Sequence, residues 1–565
     1  MQYNTWYHPY EYNPAYTKRV AYFCMEFAVH QPLKIYSGGL GFLAGSHMRS
    51  AYDLRQNLIG IGILWKHGYY DQVRNEDRSM KVQFQHKSYN FLEDTDIIIP
   101  VYVNRHQVYV KVYCLKPETF GTVPIYLLST DIPENDYLAQ TITHKLYDRD
   151  TAARIAQNIV LGIGGAKLVD ILGGADVYHM NEAHALPLAF HLYSQLQDVD
   201  KVREKLTFTT HTPEKAGNEE HMIDFLDQMG FFEMLSLNEV RAITGIKGHV
   251  FSHTLAALRL AKIANGVSQL HGEVSREMWG EYDNIAPITA ITNAQNKRYW
   301  ADVKLQAALK DKDDNALVLR KKHLKRWLFE EVANQTGKLF DPDVLTIVWA
   351  RRFAEYKRAD LLLHDINQFN RIVKNSKHPV QIIWAGKPYP FDEYAISVFN
   401  HLVKYMQRVP NCAVLTGYEL QLSKLLKLGA DVWLNTPRRP REASGTSGMT
   451  AAMNGAVNLS INDGWISEFV KHGHNGFVLP IAHKENIDKV DNFDAHNLYH
   501  ILEKEVIPLY YDNPKGWLKV VKNSMSEVTP FFDADRMAAE YYERLYKLEY
   551  EPQQNQSEVF SSNHL

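Results

Sequence analysis

Apolar runs of strand length recur along this chain, and each is followed by a longer segment with helical spacing. Residues 20–27 (VAYFCMEF), 58–65 (LIGIGILW) and 344–350 (VLTIVWA) are of this kind. A strand apolar on both faces has to be covered on both faces, which is the situation of a parallel sheet lying between helices. Further strands are expected at 123–128, 175–179, 206–211, 379–384, 412–415 and 431–434, and a hairpin at 97–115. Helices are expected from the glycine-rich turn at 37–41 to about Leu54, at 151–172, at 311–337, at about 447–455, and as aromatic-rich amphipathic segments over 516–548. The pattern resets past Tyr299. That break implies a domain boundary near residue 300, with a ligand crevice between the halves at the carboxyl ends of the strands. The fold class is therefore α/β, without internal repeats.

A formal charge of −3 over 565 residues supplies no long-range attraction for nucleic acid or an anionic membrane, so any basic site must be local. Cys24, Cys114 and Cys412 lie far apart without metal-ligand spacing, and the first two sit in apolar runs. They read as buried thiols of a reducing, cytoplasmic compartment. The polar, aromatic start MQYNTWYHPYEYN is unlike a signal peptide, and the most apolar helical stretch, 155–172, carries Lys167 and Asp170. No membrane, nucleic-acid or metal partner is expected.

Four segments carry chemistry. In 437–455 (PRRPREASGTSGMTAAMNG) a strand end feeds a Gly/Ser/Thr loop and then a helix. Amides at such a helix start cradle anions and hydroxyls, with Glu442 placed to accept from sugar hydroxyls; an ordinary capped turn is the plainer explanation. In RRFAEYKR (351–358), Arg352 and Lys357 leave a buried strand together. An arginine fork plus a lysine point charge suits phosphate, although most charge runs are solvated helix faces. SGGLGFLAG (37–45) brings paired glycines between strand and helix, a weak phosphate-loop signal taken alone. His184 and His211 follow strand ends in HMNEAHA and TTHTP, and their surroundings suit sugar contact about as well as structural burial. The glycines of GIGG (162–165) fall inside a helical pattern and read as helix packing.

VAYFCMEFAVHQPLKIYSGGLGFLAG, HMNEAHA, FTTHTP, ANGVSQLHGEVSREMW, ITNAQNKRYW, RRFAEYKR and NTPRRPREASGTSGM stand here in the order seen in α-glucan (glycogen and maltodextrin) phosphorylases. The chain resembles that family's compact bacterial branch over about residues 18–545. The resemblance implies a GT-B-type architecture, two Rossmann-like domains facing each other across a deep crevice. Residues 1–295 would form the N-terminal, glucan-side domain and 296–515 the C-terminal, phosphate-side domain. Residues 516–550 would be helices packing back on the first domain, and 551–565 a disordered tail. The implied reaction is that of a retaining hexosyltransferase, in which α-1,4-glucan and phosphate give α-glucose 1-phosphate. Matching positions make His211, Arg352, Lys357 and Glu442 the catalytic residues. His184, Asn293, Ser444 and Gly445 would bind the glucosyl unit. Gly38, Gly39 and Thr446 would join Arg352 and Lys357 around phosphate. The family's cofactor is pyridoxal phosphate, and its members are often homodimers.

One departure bears on the cofactor. The lysine that carries pyridoxal phosphate in the family is replaced by Thr450, which cannot form that bond. Ala294 and Ala354 replace the family's Gly and His, and Glu419 stands where the long phosphorylases have Arg. Three readings stay open: a phosphorylase holding pyridoxal phosphate without a covalent bond, an α-glucan synthase-like transferase using ADP- or UDP-glucose, and a glucan-binding protein without catalysis.

Overall fold

The computed structural model describes residues 6–483 and 486–547; the expected tail at 551–565 lies outside them. One sheet is built from β1 (Val20–Phe23), β2 (Leu58–Ile63), β3 (Glu93–Val103), β4 (His106–Leu115), β5 (Ile125–Ser129), β6 (Val177–Asn181), β7 (Leu206–Thr209), β8 (Ile263–Gly266) and β9 (Ile288–Ala290). Their order is β9-β8-β7-β6-β1-β2-β5-β4-β3. Strands β9 through β5 in that order are parallel, with Val20 paired to both Leu58 and Val177. The hairpin β3–β4 then adds antiparallel strands at one edge. The central strands are buried on both faces, whereas β3 alternates, as covered and half-covered positions demand.

The second sheet, β10 (Leu345–Ala350), β11 (Val380–Ala385), β12 (Cys412–Leu415), β13 (Val432–Asn435), β14 (Val457–Ser460) and β15 (Gly476–Val478), is parallel throughout, in the order β12-β11-β10-β13-β14-β15. Trp349, Trp384 and Trp433 fill its interior. Each indole N–H is satisfied, by Thr436 Oγ1, Ala359 O and Ser447 Oγ respectively, as buried Trp requires.

Several expected boundaries move. β1 ends at Phe23, four residues short of the apolar run, because the chain turns off the sheet to form part of the site. The expected helix over 151–172 contains a π-helical turn, Val160–Gly164, which inserts a wider hydrogen-bonded loop that apolar spacing does not register. The glycine-rich segment forms the start of helix α1 (Gly39–Asp53). Among the described residues no helix is long and apolar enough to cross a membrane, and all three cysteines are buried and free.

The chain passes between the sheets twice. It leaves the first near residue 295 and returns after a long helix, Pro514–Phe532, to dock Ala534–Tyr541 on α1. The two passages lie side by side: Gln295 N donates to Phe532 O (3.1 Å) and Ala534 N to Gln295 O (3.0 Å). Beyond them Tyr546 OH bonds His179 Nδ1 at 2.7 Å.

Candidate active site

Both sheets reverse their strand order internally, the first at β1 and the second between β10 and β13, and the segments leaving the carboxyl ends there are free to diverge and line a crevice. A cavity of about 300 Å³ lies among them. Glu26 follows β1, His211 follows β7, Val267 follows β8 and Asn293 follows β9. From the second sheet come Arg351, Arg352 and Lys357 after β10, Lys387 after β11, Tyr418 after β12, and Glu442 through Ser447 after β13. A larger cavity, about 410 Å³, lies apart from these residues, walled half by apolar side chains and half by polar ones that include a His472–Glu505 pair.

Glu26 organises the glycine turn. Its buried carboxylate accepts from Ser37 N (2.6 Å), Ser37 Oγ (3.0 Å), Gly38 N (3.1 Å) and Tyr147 OH (2.7 Å). Gly38 and Gly39 line the cavity as expected, but the Gly38 amide is already taken by Glu26. The start of α1 beyond it has no side-chain cap, so its first amides remain to meet a ligand.

Glu442 is the hub of the opposite wall. Its Oε2 lies 2.7 Å from Lys357 Nζ and 3.4 Å from Arg351 Nη1. Burial would raise this carboxyl, yet Lys357 and Arg351 hold it below the usual carboxylate range. Its amide donates to Asp463 (2.9 Å), a carboxyl that burial pushes up to about 7. Arg352 reaches into the cavity and pairs with no carboxylate among the described residues. Lys387 is held by Glu419 (2.9 Å) and Tyr70 O (2.8 Å). Glu419 also pairs Lys34 at 2.9 Å, so it ties the two walls together. Three buried polar atoms at the cavity have no partner among the described residues: Arg351 Nε, Asn293 Oδ1 and Ser444 Oγ. Gly445 takes φ +80°, where L side chains are disfavoured; Thr446 completes that wall.

His211 is held from behind. Its ring Nε2 lies 2.7 Å from Asn181 Oδ1, and Asn181 Nδ2 is directed at Cys24 Sγ. The network therefore assigns the proton to Nε2 and leaves Nδ1 an acceptor. Burial pushes the imidazole down to about 3, so the ring is neutral. Its backbone N–H donates to Glu182, which occupies a strained φ of +72° and which burial pushes up to about 7.

Two sequence-expected residues do not line the cavity. His184 stands behind Tyr147, with ring centroids 6.0 Å apart, because the turn after β6 carries it away from the strand end. Nearby, Glu219, His221 and His253 place ligand atoms within 4.8 Å of one another, but His221 and His253 already share a hydrogen bond (3.0 Å) and Glu219 pairs with Arg154. Thr450 is wholly buried, its hydroxyl donating to Ser447 O at 3.0 Å. Glu26, Tyr147, Glu182, Lys387 and Asp463 were not singled out from sequence. Glu26 and Glu182 stand inside quoted motifs with nothing to mark them there, and Tyr147, Lys387 and Asp463 stand in none, so each is recognisable only once the strand ends converge.

With this geometry in hand, similarity to known proteins is informative. Residues 249–479 match the family model of carbohydrate phosphorylase. The chain is 34% identical to the maltodextrin phosphorylase of Thermococcus litoralis, covering 94% of this chain and 71% of that protein. It is 32% identical to the glycogen phosphorylase of Aquifex aeolicus, over 95% of this chain and 87% of the relative. An uncharacterized protein of Methanocaldococcus jannaschii is 48% identical over 94% of this chain and its own full length.

Proposed function

This chain belongs to the carbohydrate phosphorylase family, and on that premise we propose that its cavity performs retaining phosphorolysis of α-1,4-glucans, yielding α-glucose 1-phosphate. The observation that carries this reading is the meeting of Arg351, Arg352 and Lys357 from one sheet with neutral His211 and the uncapped start of α1 from the other. We read the two sheets as the two Rossmann-like halves of a GT-B-type enzyme, with the glucan lying between them.

Arg352, free of carboxylate partners among the described residues, takes the phosphate through its fork, and Lys357 adds a point charge. Glu442 keeps Lys357 in place and accepts from a glucosyl hydroxyl. Asn293 Oδ1, Ser444 Oγ and His211 Nδ1 are the remaining sugar contacts. Glu442 is tied up by two cations, which disfavours a glycosidase-type carboxylate nucleophile. Charge developing on the departing and arriving oxygens is met instead by fixed cations and amides. The active partners would be α-glucan and phosphate, in a homodimer as is usual for the family.

The residues present fit pyridoxal phosphate: cations and the partnerless Arg351 Nε for its phosphate, and Phe42 and Tyr418 as a wall for its ring. When bound, the cofactor supplies a phosphate that exchanges a proton with the substrate phosphate. A second reading, glucosyl transfer from ADP- or UDP-glucose, is favoured by one observation. Thr450 offers no amine, its hydroxyl turned back to Ser447 O of its own helix, and a cation-lined cavity without that anchor suits a nucleotide diphosphate.

The deciding assay is glucose 1-phosphate formation from maltodextrin and phosphate, with and without saturating pyridoxal phosphate. Product that depends on the cofactor is the expected outcome. No product in either tube, with glucan extension from ADP-glucose, would reject phosphorolysis in favour of transfer.

A further inference from the structure

A cavity of about 270 Å³, separate from the two described above, lies where a hairpin of the first half of the chain, Asp71–Arg74 and Met80–Gln83, rests on the second half. Three cations, Arg74, Arg78 and Lys338, share its wall with Thr336 and Gln407, and no acidic residue lines it. Their partners are backbone carbonyls. Arg74 donates to Arg78 O (3.0 Å) and to Val414 O, and Arg78 donates to Gln335 O. Lys338 Nζ donates to Met406 O, Val409 O and Cys412 O around the carboxyl end of the helix Glu393–Met406, which uses all its N–H groups. Among the described residues none of the three pairs with a carboxylate, and Arg74 Nε is buried without a hydrogen-bond partner.

Two guanidinium groups with no acid between them repel each other, and burial adds to the cost. Arg74 shows both effects, pushed down to about 10 by burial first and by Arg78 second. Each guanidinium carries five N–H donors in a planar fork. Arg74 spends two of them on carbonyls and Arg78 one, so both retain donors for a ligand. An oxyanion meets those donors and removes the repulsion together, while Lys338 adds charge but no hydrogen bond. Val403, Met406 and Val414 give the same cavity an apolar side. Arg78 and Gln407 are exposed, so the cavity is reached from solvent.

The hairpin also holds the frame of the catalytic cavity. Gln72 Nε2 donates to Gly386 O (3.0 Å) and Gln72 Oε1 accepts from Gly417 N (3.0 Å), beside Lys387 and Tyr418 in sequence. Tyr70 O accepts from Lys387 Nζ at 2.8 Å. We infer that the cavity of Arg74, Arg78 and Lys338 is a second anion site, which takes a phosphate group, free or as the monoester of a small molecule, and so clamps the hairpin onto the second sheet. A ligand there acts on the catalytic wall through the hairpin and touches none of the catalytic residues.

Binding is counted by equilibrium dialysis of the full chain against radiolabelled inorganic phosphate at fixed ionic strength. The catalytic cavity takes phosphate too on the reading above, so the second site is read as a difference between variants. Arg74→Gln combined with Arg78→Gln is expected to hold one equivalent fewer per chain than the wild type. Gln407→Glu keeps both arginines, their carbonyl bonds and the shape of the wall. Its added charge is expected to weaken the same equivalent by about tenfold or more. Counts and affinities equal in the wild type and Gln407→Glu overturn the site, whether or not the double variant folds. Competition with glycerol 3-phosphate separates the two sources. Displacement of that equivalent at a lower concentration than unlabelled phosphate requires assigns a monoester, and displacement only at a higher one assigns free phosphate; both uphold the site. No turnover is measured, so the second site and phosphorolysis stand or fall separately.

Discussion

Lys357 and Glu442 illustrate how a single pair sets the charge of the cavity. The carboxylate lies 2.7 Å from the ammonium and 3.4 Å from Arg351, so removing the lysine leaves a buried anion held on one side only. Lys357→Ala is expected to lower turnover by at least about 100-fold, the usual effect of losing one preorganised charge in a transition state, roughly 3 kcal/mol. The circular dichroism spectrum should stay unchanged. Wild-type turnover in this variant would remove Lys357 from the machinery. That Arg352, Lys357 and Glu442 belong together was legible in sequence, because each leaves an apolar strand within a few residues and strand ends are where such crevices form. Glu26 and Glu182 were not legible. Their importance lies in backbone amides they accept from Ser37, Gly38 and His211, and nothing in sequence marks which carboxylate will meet which amide.

The glycines of SGGLGFLAG show how an element can serve a purpose other than the one its composition advertises. As a sequence they read as a phosphate loop. In the fold only Gly38 and Gly39 face the cavity, while Gly45 lies within α1 against the loop that follows β1. A β-carbon there would stand 2.0 Å from Ala28 O, with backbone on both sides unable to give way. Gly45→Ala is therefore expected to destabilise the protein by about 3 kcal/mol or more through overpacking, lowering its urea midpoint. A midpoint equal to the wild type would mean that α1 is free to shift. Strands were the most readable elements, since an uninterrupted apolar run has few alternatives. Helix interiors were less so: the π-helical turn at Val160–Gly164 keeps the same apolar composition as the helices around it, and only the hydrogen-bond pattern differs.

Stability of the entire fold carries a pH signature away from the cavity. His191 is clasped between Asp170 (2.9 Å) and Glu233 (3.0 Å). Burial would depress its pKa, but the two carboxylates overcome it and lift the imidazole to about 9. A histidine whose folded pKa is raised stabilises fully below its unfolded value near 6.5, and that contribution fades as pH rises toward 9, by up to roughly 3 kcal/mol. Unfolding midpoints at pH 6.5 and 9 should fall more for the wild type than for His191→Gln; equal falls would dismiss the clasp. From the residues alone the arrangement of the two sheets was legible only as a break in pattern near residue 300; the return of the chain was expected from the family resemblance and not from periodicity, because it depends on contacts between segments over 200 residues apart. That return has a mechanical consequence. Gln295 and Asp533 run alongside each other where the chain passes between the sheets, so both connections share one line. Adjacent connections of this kind give a swing of one sheet against the other a common axis, as adjacent pins do for a door, and Glu419, which pairs Lys34 and Lys387 across the cavity, is among the contacts such a swing has to break.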